Sequence, residues 1–291
     1  MRTYILLCVT SMLVIASACQ PKIQTNSKPT ALNQLIRDAQ GNPDLYGQST
    51  EEGMKQPPFD TWYITNYNAY TPDSNIILRL RPELRGKTIE IFMGTWCGDS
   101  KREVPRMLKV LSQCGVPPTA IRIINVGKSE HDYKQSPTHE ERGKNIHRVP
   151  TLIVYQDGKE INRLVETPVQ SIEKDLLQIA RKEAYVPKYL GAAWMLQWYS
   201  HPDWAKHEHD SVLLAADLKK IVLNRGELDG LGRVQLSLQE INKAVFTLKL
   251  NTMLFPEESY VLRSFSKALL RQGDTLQARL YLEKAAQYPG Q

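Results

Sequence analysis

The chain reads as an α/β domain, a mixed sheet with flanking helices, followed by an all-α, repeat-like domain. Three observations predict this. Short apolar strands alternate with amphipathic helices between Phe59 and Ala184, the pattern of a sheet layered with helices. Asp157-Gly158 separates two strand-like runs, which is a strong two-residue hairpin signal. Beyond Tyr185 the strand signals stop, and Ala244, Leu248 and Pro256 are echoed by Ala278, Leu282 and Pro289 at offsets of 34, 34 and 33 residues.

The elements follow in order. Trp62-Tyr63-Ile64-Thr65 has the side chains of a strand. Asp73 to Leu84 reads as a helix with Ile76, Ile77, Leu80 and Leu84 on one face. Thr88 to Met93 is an apolar strand. Ser100 to Leu111 is an amphipathic helix, with Val104, Met107, Leu108 and Leu111 at helical spacing. Ile121 to Val126 is the next strand. Gly127 to Pro137 is polar and without period, and Glu140 to Ile146 is expected as a short helix. Thr151 to Tyr155 and Glu160 to Val165 flank the hairpin turn, and Val169 to Ala184 closes the unit with Ile172, Leu176 and Ile179 inward. In the helical remainder, Gly273-Asp274 reads as a turn between helices. The helices are expected to pack on the segment carrying Trp194, Trp198 and Trp204. Two roles stay open for this part: a helical cap without ligand, or a peptide-binding groove of the kind helical repeats present.

The bulk numbers bound the function. With 291 residues, 42% hydrophobic and 23% charged, the chain has the length of about two globular domains. The net charge of +6 is spread along the sequence. No Lys/Arg block suggests nucleic acid as a partner.

The start looks like a targeting segment. Arg2 precedes an almost wholly apolar run from Tyr4 to Ala16, shorter than the roughly 20 residues of a membrane span. Ala16-Ser17-Ala18-Cys19 then resembles a bacterial lipobox, with Ala16 a poorer fit than the usual Leu. That resemblance implies a signal peptide over residues 1–18, cleavage before Cys19, and lipid on the Cys19 sulfur. It places the protein in the cell envelope, anchored to a membrane and facing the periplasm. An ordinary cleaved signal and an uncleaved anchor are the alternatives. Residues 19–58 are polar and rich in Asn, Gln, Lys, Ser and Pro, as in a tether, with one short helix around Ala31 to Ala39. With Cys8 removed and Cys19 lipidated, Cys97 and Cys114 remain as thiols. A helix between them would hold them roughly 25 Å apart, at 1.5 Å per residue. A disulfide needs Cα atoms within about 7 Å, so Cys114 is expected to be a buried structural thiol.

The chemistry-bearing motif is Trp96-Cys97-Gly98-Asp99-Ser100, placed after a strand and opening a helix. An offset of 52 residues, from Trp96 to Arg148, leads to Arg148-Val149-Pro150-Thr151-Leu152. The pair, with the element order and the Asp157-Gly158 turn, resembles the thioredoxin superfamily over residues 59–184, with a tetratricopeptide-like helical region over 185–291. The resemblance implies a thioredoxin fold in which Pro150 is cis and faces the Cys97 turn. It implies Cys97 as the reactive thiol, Ser100 where the family has its second cysteine, and Trp96, Gly98, Asp99, Val149 and Pro150 as the surface that meets a client. Thiol- or disulfide-containing proteins or peptides are then the partners. No cofactor is expected.

The residues refine that expectation. A cysteine at a helix N-terminus is favoured as thiolate by the dipole and free N–H groups. Lys101 and Arg102 add positive potential, and Ser100 is placed to donate a hydrogen bond to the sulfur. Asp99 opposes, since its carboxylate disfavours a second negative charge nearby. Ile91 stands where the family has a buried aspartate that moves protons. Ser100 cannot resolve a mixed disulfide, so a stand-alone dithiol reductase is rejected. Three readings remain open: a monothiol exchange, isomerase-like or client-holding protein, non-redox binding, and sensing by oxidation of Cys97 to sulfenic acid. His201, His207 and His209 lack the i, i+4 pairing of helical zinc sites, so no metal site is expected. No Gly-rich phosphate loop, nucleophile elbow or paired-carboxylate motif is present.

Overall fold

The computed structural model describes residues 31–288. The expected signal segment, Cys8, Cys19 and the first part of the expected tether lie outside these residues, as does Pro289. Among the described residues no helix is long and apolar enough to cross a membrane.

The stretch read as a tether departs from expectation after residue 34. It forms a two-stranded antiparallel ribbon, β1 (Leu35–Arg37) with β2 (Pro43–Leu45), where a short helix over Ala31–Ala39 was expected. It continues into a sheet strand, β3 (Gly47–Ser49), and one helical turn, α1 (Glu51–Met54), capped by the Thr50 hydroxyl. The polar composition has a physical reason. From Asp44 on, the polar groups are bonded within the fold: Asn125 Nδ2 donates to Ser49 Oγ at 2.6 Å, and Thr95 Oγ1 accepts from Leu45 N–H at 3.0 Å and donates to Asp44 at 3.1 Å.

The second departure is α2 (Asp60–Ala69), which contains the Trp62–Thr65 run expected as a strand. Phe59, Tyr63 and Tyr67 are spaced by four and so share one helix face. Tyr63 is buried, stacks on Tyr67 at 5.9 Å and donates to Glu51 at 2.7 Å. Tertiary burial of that stripe overrides the strand propensity of its side chains. The helix α3 (Ser74–Glu83) agrees with expectation. Asp73 caps it by accepting from Asn75 and Ile76 N–H groups, and Ile77 and Leu80 face the core.

The next elements are β4 (Lys87–Met93), α4 (Gly98–Gln113), β5 (Ile121–Asn125), β6 (Thr151–Gln156), β7 (Lys159–Val165) and α5 (Ile172–Ala180). Between β5 and β6 the expected Glu140–Ile146 helix is replaced by turns. The Ser136 hydroxyl donates to Glu140 at 2.6 Å and lies 2.5 Å from Glu141, while Gly143 and Asn145 hold positive φ, which a helix excludes. The β6–β7 hairpin turns at Asp157 (φ 53°) and Gly158 (φ 74°), the pair of positive φ values that a two-residue turn demands.

The sheet order is β3-β5-β4-β6-β7, with β4 parallel to β5 and antiparallel to β6. Alternation along β4 sorts its side chains. Ile89, Ile91 and Met93 join the main core with Val104, Met107, Leu108 and Leu176. Phe92 faces the opposite side with Ile124, Val126, Val149 and Ile153, next to Trp96 and Cys97. The Cys97 turn thus leaves the end of a strand whose two faces are both buried.

An all-helical region follows: α6 (Leu190–Tyr199), α7 (Ser211–Leu218), α8 (Gly226–Ser237), α9 (Ile241–Leu254), α10 (Ser259–Gln272) and α11 (Thr275–Ala286). Trp194, Trp198 and Trp204 gather around its first core, with Trp198 stacked on Phe246 at 5.3 Å, as expected. Val165 at the end of β7 belongs to the same core and joins the two parts. A Cβ at Gly232 would lie 2.6 Å from Leu248, so α8 and α9 approach closely there. The 34-residue echo holds for Ala244 and Ala278, both fully buried. It fails for Leu282, which is exposed where Leu248 is buried. Gly273, at φ 96°, ends α10, and Asp274 caps α11.

Candidate functional site

Cys97 is the N-cap residue of α4, half-buried, with Gly98 exposed beside it. Its sulfur lies 3.3 Å from the Val149 carbonyl oxygen, a contact in which the thiol donates. The Val149–Pro150 peptide is cis, as expected, and both residues are buried. Two motifs 52 residues apart therefore meet at one atom pair. Val149 is held from below by Phe92, Ile124 and Ile153.

Ser100 differs from expectation. It is fully buried (0% exposed), and its Oγ accepts from the Gly94 N–H at 3.3 Å. The hydroxyl serves the turn backbone, while the sulfur is bonded to Val149. The charges also differ. Arg102 binds Asp99 at 2.6 Å and the buried Glu103 at 2.6 Å, so its cation and the Asp99 carboxylate largely cancel. Neither the expected repulsion by Asp99 nor the expected attraction by Arg102 reaches the sulfur undiminished.

Trp96 is half-buried and fixed in place. Its indole N–H donates to the Val126 carbonyl at 2.9 Å, and its ring lies 6.3 Å from that of Tyr133. A Cβ at Gly94 would sit 2.4 Å from the Trp96 Nε1, so glycine there permits the indole to fold back over the turn. Beside it lies a cavity of about 490 Å³ lined in part by Asp38, Asp44 and Lys128. Lys128 pairs with both carboxylates, at 2.6 and 2.9 Å, and ties the N-terminal ribbon to the end of β5.

The polar loop after β5 supplies what the sequence did not signal. Lys134 is 4% exposed, and its Nζ donates to the His147 carbonyl at 2.7 Å and lies 4.6 Å from the Tyr133 ring centre. Burial, then the like charges of Arg148 and Arg233, push this amine down to about 7, while Cys97 and Glu166 pull the other way. A buried amine that changes charge near neutral pH therefore sits within electrostatic reach of the thiol. A lone lysine in a loop without period gives no sequence signal for this. Burial also pushes the nearby Glu166 carboxyl above its usual range, against the opposing charge of Arg148.

The helical region closes over this side. Arg233 of α8 lies 3.8 Å from the Tyr133 ring centre. Arg148 pairs with Glu166 at 3.3 Å, donates to the Gly226 carbonyl and stacks over Tyr189 at 4.7 Å. The segment leading into Pro150 is therefore clamped between the two parts of the molecule.

Among the described residues no group of three or more His, Cys, Asp or Glu side chains is placed to hold a metal ion. Cys97 and Cys114 are both free thiols. Cys114, the C-cap residue of α4, is buried, and burial pushes its thiol up to about 11. Comparisons with protein-family profiles, with curated proteins and with solved structures found no match.

Proposed function

We propose that this protein is a thioredoxin-like, lipid-anchored protein of the cell envelope that makes mixed disulfides through Cys97 and holds or exchanges thiol-containing clients. One observation carries the reading. Cys97 stands half-exposed at the start of a helix with its sulfur 3.3 Å from the carbonyl of a buried cis Val149–Pro150 peptide. That arrangement agrees with the thioredoxin resemblance of the two motifs. The lipid anchor rests on the sequence around Cys19.

In the proposed step the Cys97 thiolate attacks one sulfur of a client disulfide. A bond forms between Cys97 Sγ and that sulfur, the client S–S bond breaks, and the second client sulfur leaves as thiolate. Lys134, whose charge is poised near neutral pH, is the buried group best suited to balance charge at the sulfur. Ser100 offers no resolving thiol, so release needs an external thiol. Trp96, the exposed Gly98 and Asp99 form the client-facing surface, and the buried Val149 backs the sulfur through its carbonyl.

A second reading, non-redox binding by the same surface, is favoured by one observation. The bond from Cys97 to the Val149 carbonyl is one that only a protonated thiol donates. Trapping separates the two. Rapid acid quenching of cells and non-reducing gels are expected to give slower-migrating adducts that vanish in Cys97→Ser. Adducts absent from the wild type, with clients still recovered by non-covalent capture, would overturn exchange in favour of binding.

A further inference from the structure

The loop after β5 meets helices α8 and α10 around a cavity of about 310 Å³. Glu130 and Tyr133 come from the loop, and the rest of the lining comes from the helical region. The cavity has the size of a small-molecule site and lies at a seam between packed units, where such sites are found.

One charged group in its wall is open. Arg233 of α8 is half-buried, and its guanidinium carbon lies 3.8 Å from the ring centre of Tyr133, which lines the same cavity and is 9% exposed. The guanidinium therefore sits at the cavity wall. Among the described residues no hydrogen bond or ion pair engages it, and none of its nitrogens is sealed from solvent. A guanidinium resting on a ring keeps its N–H edge for a planar oxyanion, which it binds through two parallel hydrogen bonds.

The other charges set what fits. Lys267 is paired with Glu130. Arg271 has no carboxylate in ion-pair contact: its Nη2 lies 3.4 Å from Gln239 Oε1, and it acts on Glu130 only at longer range. Asp229, one helical turn before Arg233, is buried and accepts the Tyr260 hydroxyl, and it neither pairs with Arg233 nor lines the cavity. Three cations thus stand against two carboxylates, which leaves one net positive charge. Lys134 responds to the same excess: after burial, the like charges of Arg148 and Arg233 push its amine down. A monoanion balances that charge. A dianion meets the Glu130 carboxylate in excess, and a cation meets Arg233. Leu236 and the rings of Tyr133 and Tyr260 supply apolar wall for the body of the ligand.

We infer that this cavity binds a small organic monocarboxylate with an aromatic or other apolar body, its carboxylate held by Arg233. The inference does not depend on the chemistry of Cys97.

The test is calorimetric titration of the full-length protein, at pH 8 and low ionic strength, with four probes that share one ring: phenylacetate, phenylacetamide, phenethylammonium and phenyl phosphate. Saturable binding of phenylacetate is expected, with the amide and the phosphate about tenfold weaker or more and the ammonium unbound. Arg233→Gln is expected to weaken phenylacetate about tenfold or more with unchanged circular dichroism. Arg279→Gln, at an exposed arginine outside the cavity lining, is expected to leave it unchanged. The comparison among probes needs no variant and stands even if Arg233→Gln misfolds. No saturable phenylacetate binding up to about 10 mM would overturn the site. So would an amide or ammonium bound as tightly as the acid, or phenylacetate binding that folded Arg233→Gln weakens no more than Arg279→Gln does. A phosphate bound as tightly as the carboxylate would overturn the assigned ligand class.

Discussion

The two free cysteines among the described residues stand at opposite ends of one helix and live under opposite conditions. Cys97 caps the N-terminus of α4, half-exposed, where free N–H groups and the dipole favour negative charge. Cys114 caps the C-terminus, buried, where the dipole disfavours that charge and burial pushes the thiol up to about 11. Residue type alone therefore does not carry reactivity here. The polarity of the helix end and access to solvent are what separate the surroundings of the two thiols.

The largest expected effect is a direct contrast in labelling. At pH 8 a thiol with a value of about 11 is ionised only about one part in a thousand. Iodoacetamide followed by peptide mapping is expected to modify Cys97 at least a hundredfold faster than Cys114 in the folded protein. In denaturant the two rates should converge. Equal rates in the folded state would break the comparison.

A smaller effect concerns the amine that distinguishes the Cys97 end. Lys134 is held near 7 in the fold and titrates near its free value, about 10.4, in the unfolded chain. Between about pH 7 and 10 the unfolded state therefore binds more protons, and stability rises with pH through that window. Below about 7 the cost of the buried charge is fully present. Lys134→Met is expected to flatten that rise, which denaturation midpoints at pH 7, 8 and 9 would read. A wild-type midpoint that falls across this range, or a variant that rises as steeply, would contradict the assignment.

Gly94→Ala tests the geometry of the turn at a still smaller scale. The new Cβ meets the Trp96 indole at 2.4 Å, so the bond to Val126 must shift or break. A loss of about 1–3 kcal/mol is expected, together with a red-shifted tryptophan emission. Unchanged stability and emission would mean that the indole is not folded over the turn.

Much of the architecture was legible because it is carried by local periodicity. The strands β4 to β7, the hairpin at Asp157-Gly158, the helix after Cys97 and the change to all-helical structure all follow from spacing. The errors have a common cause. Trp62–Thr65 reads as a strand one residue at a time, and only the stripe Phe59, Tyr63, Tyr67, spaced by four, points to the helix. Gly47–Ser49 is too short and too polar to signal an edge strand, because its polar groups are satisfied by Asn125 across the sheet. Within the site, Cys97 and Val149–Pro150 meet as their motifs imply. Lys134, Tyr133 and Arg233 were invisible, since the first two come near the thiol from an aperiodic loop and Arg233 reaches Tyr133 from a helix some hundred residues later. Arg102-Glu103 reads in sequence as a solvated helix face, but Glu103 is buried, and the pairing of Arg102 with Glu103 and Asp99 cancels the potential that each would exert alone.

The central claim is that Cys97 forms a mixed disulfide that the protein cannot resolve by itself. The most direct measurement is intact-protein mass spectrometry after incubation with oxidised glutathione and its removal. The account predicts one glutathione per chain, located on Cys97, persisting until an external thiol is added, while Ser100→Cys sheds it to form an internal disulfide. No adduct on Cys97 in the folded protein, or an adduct that the wild type releases unaided, would contradict it.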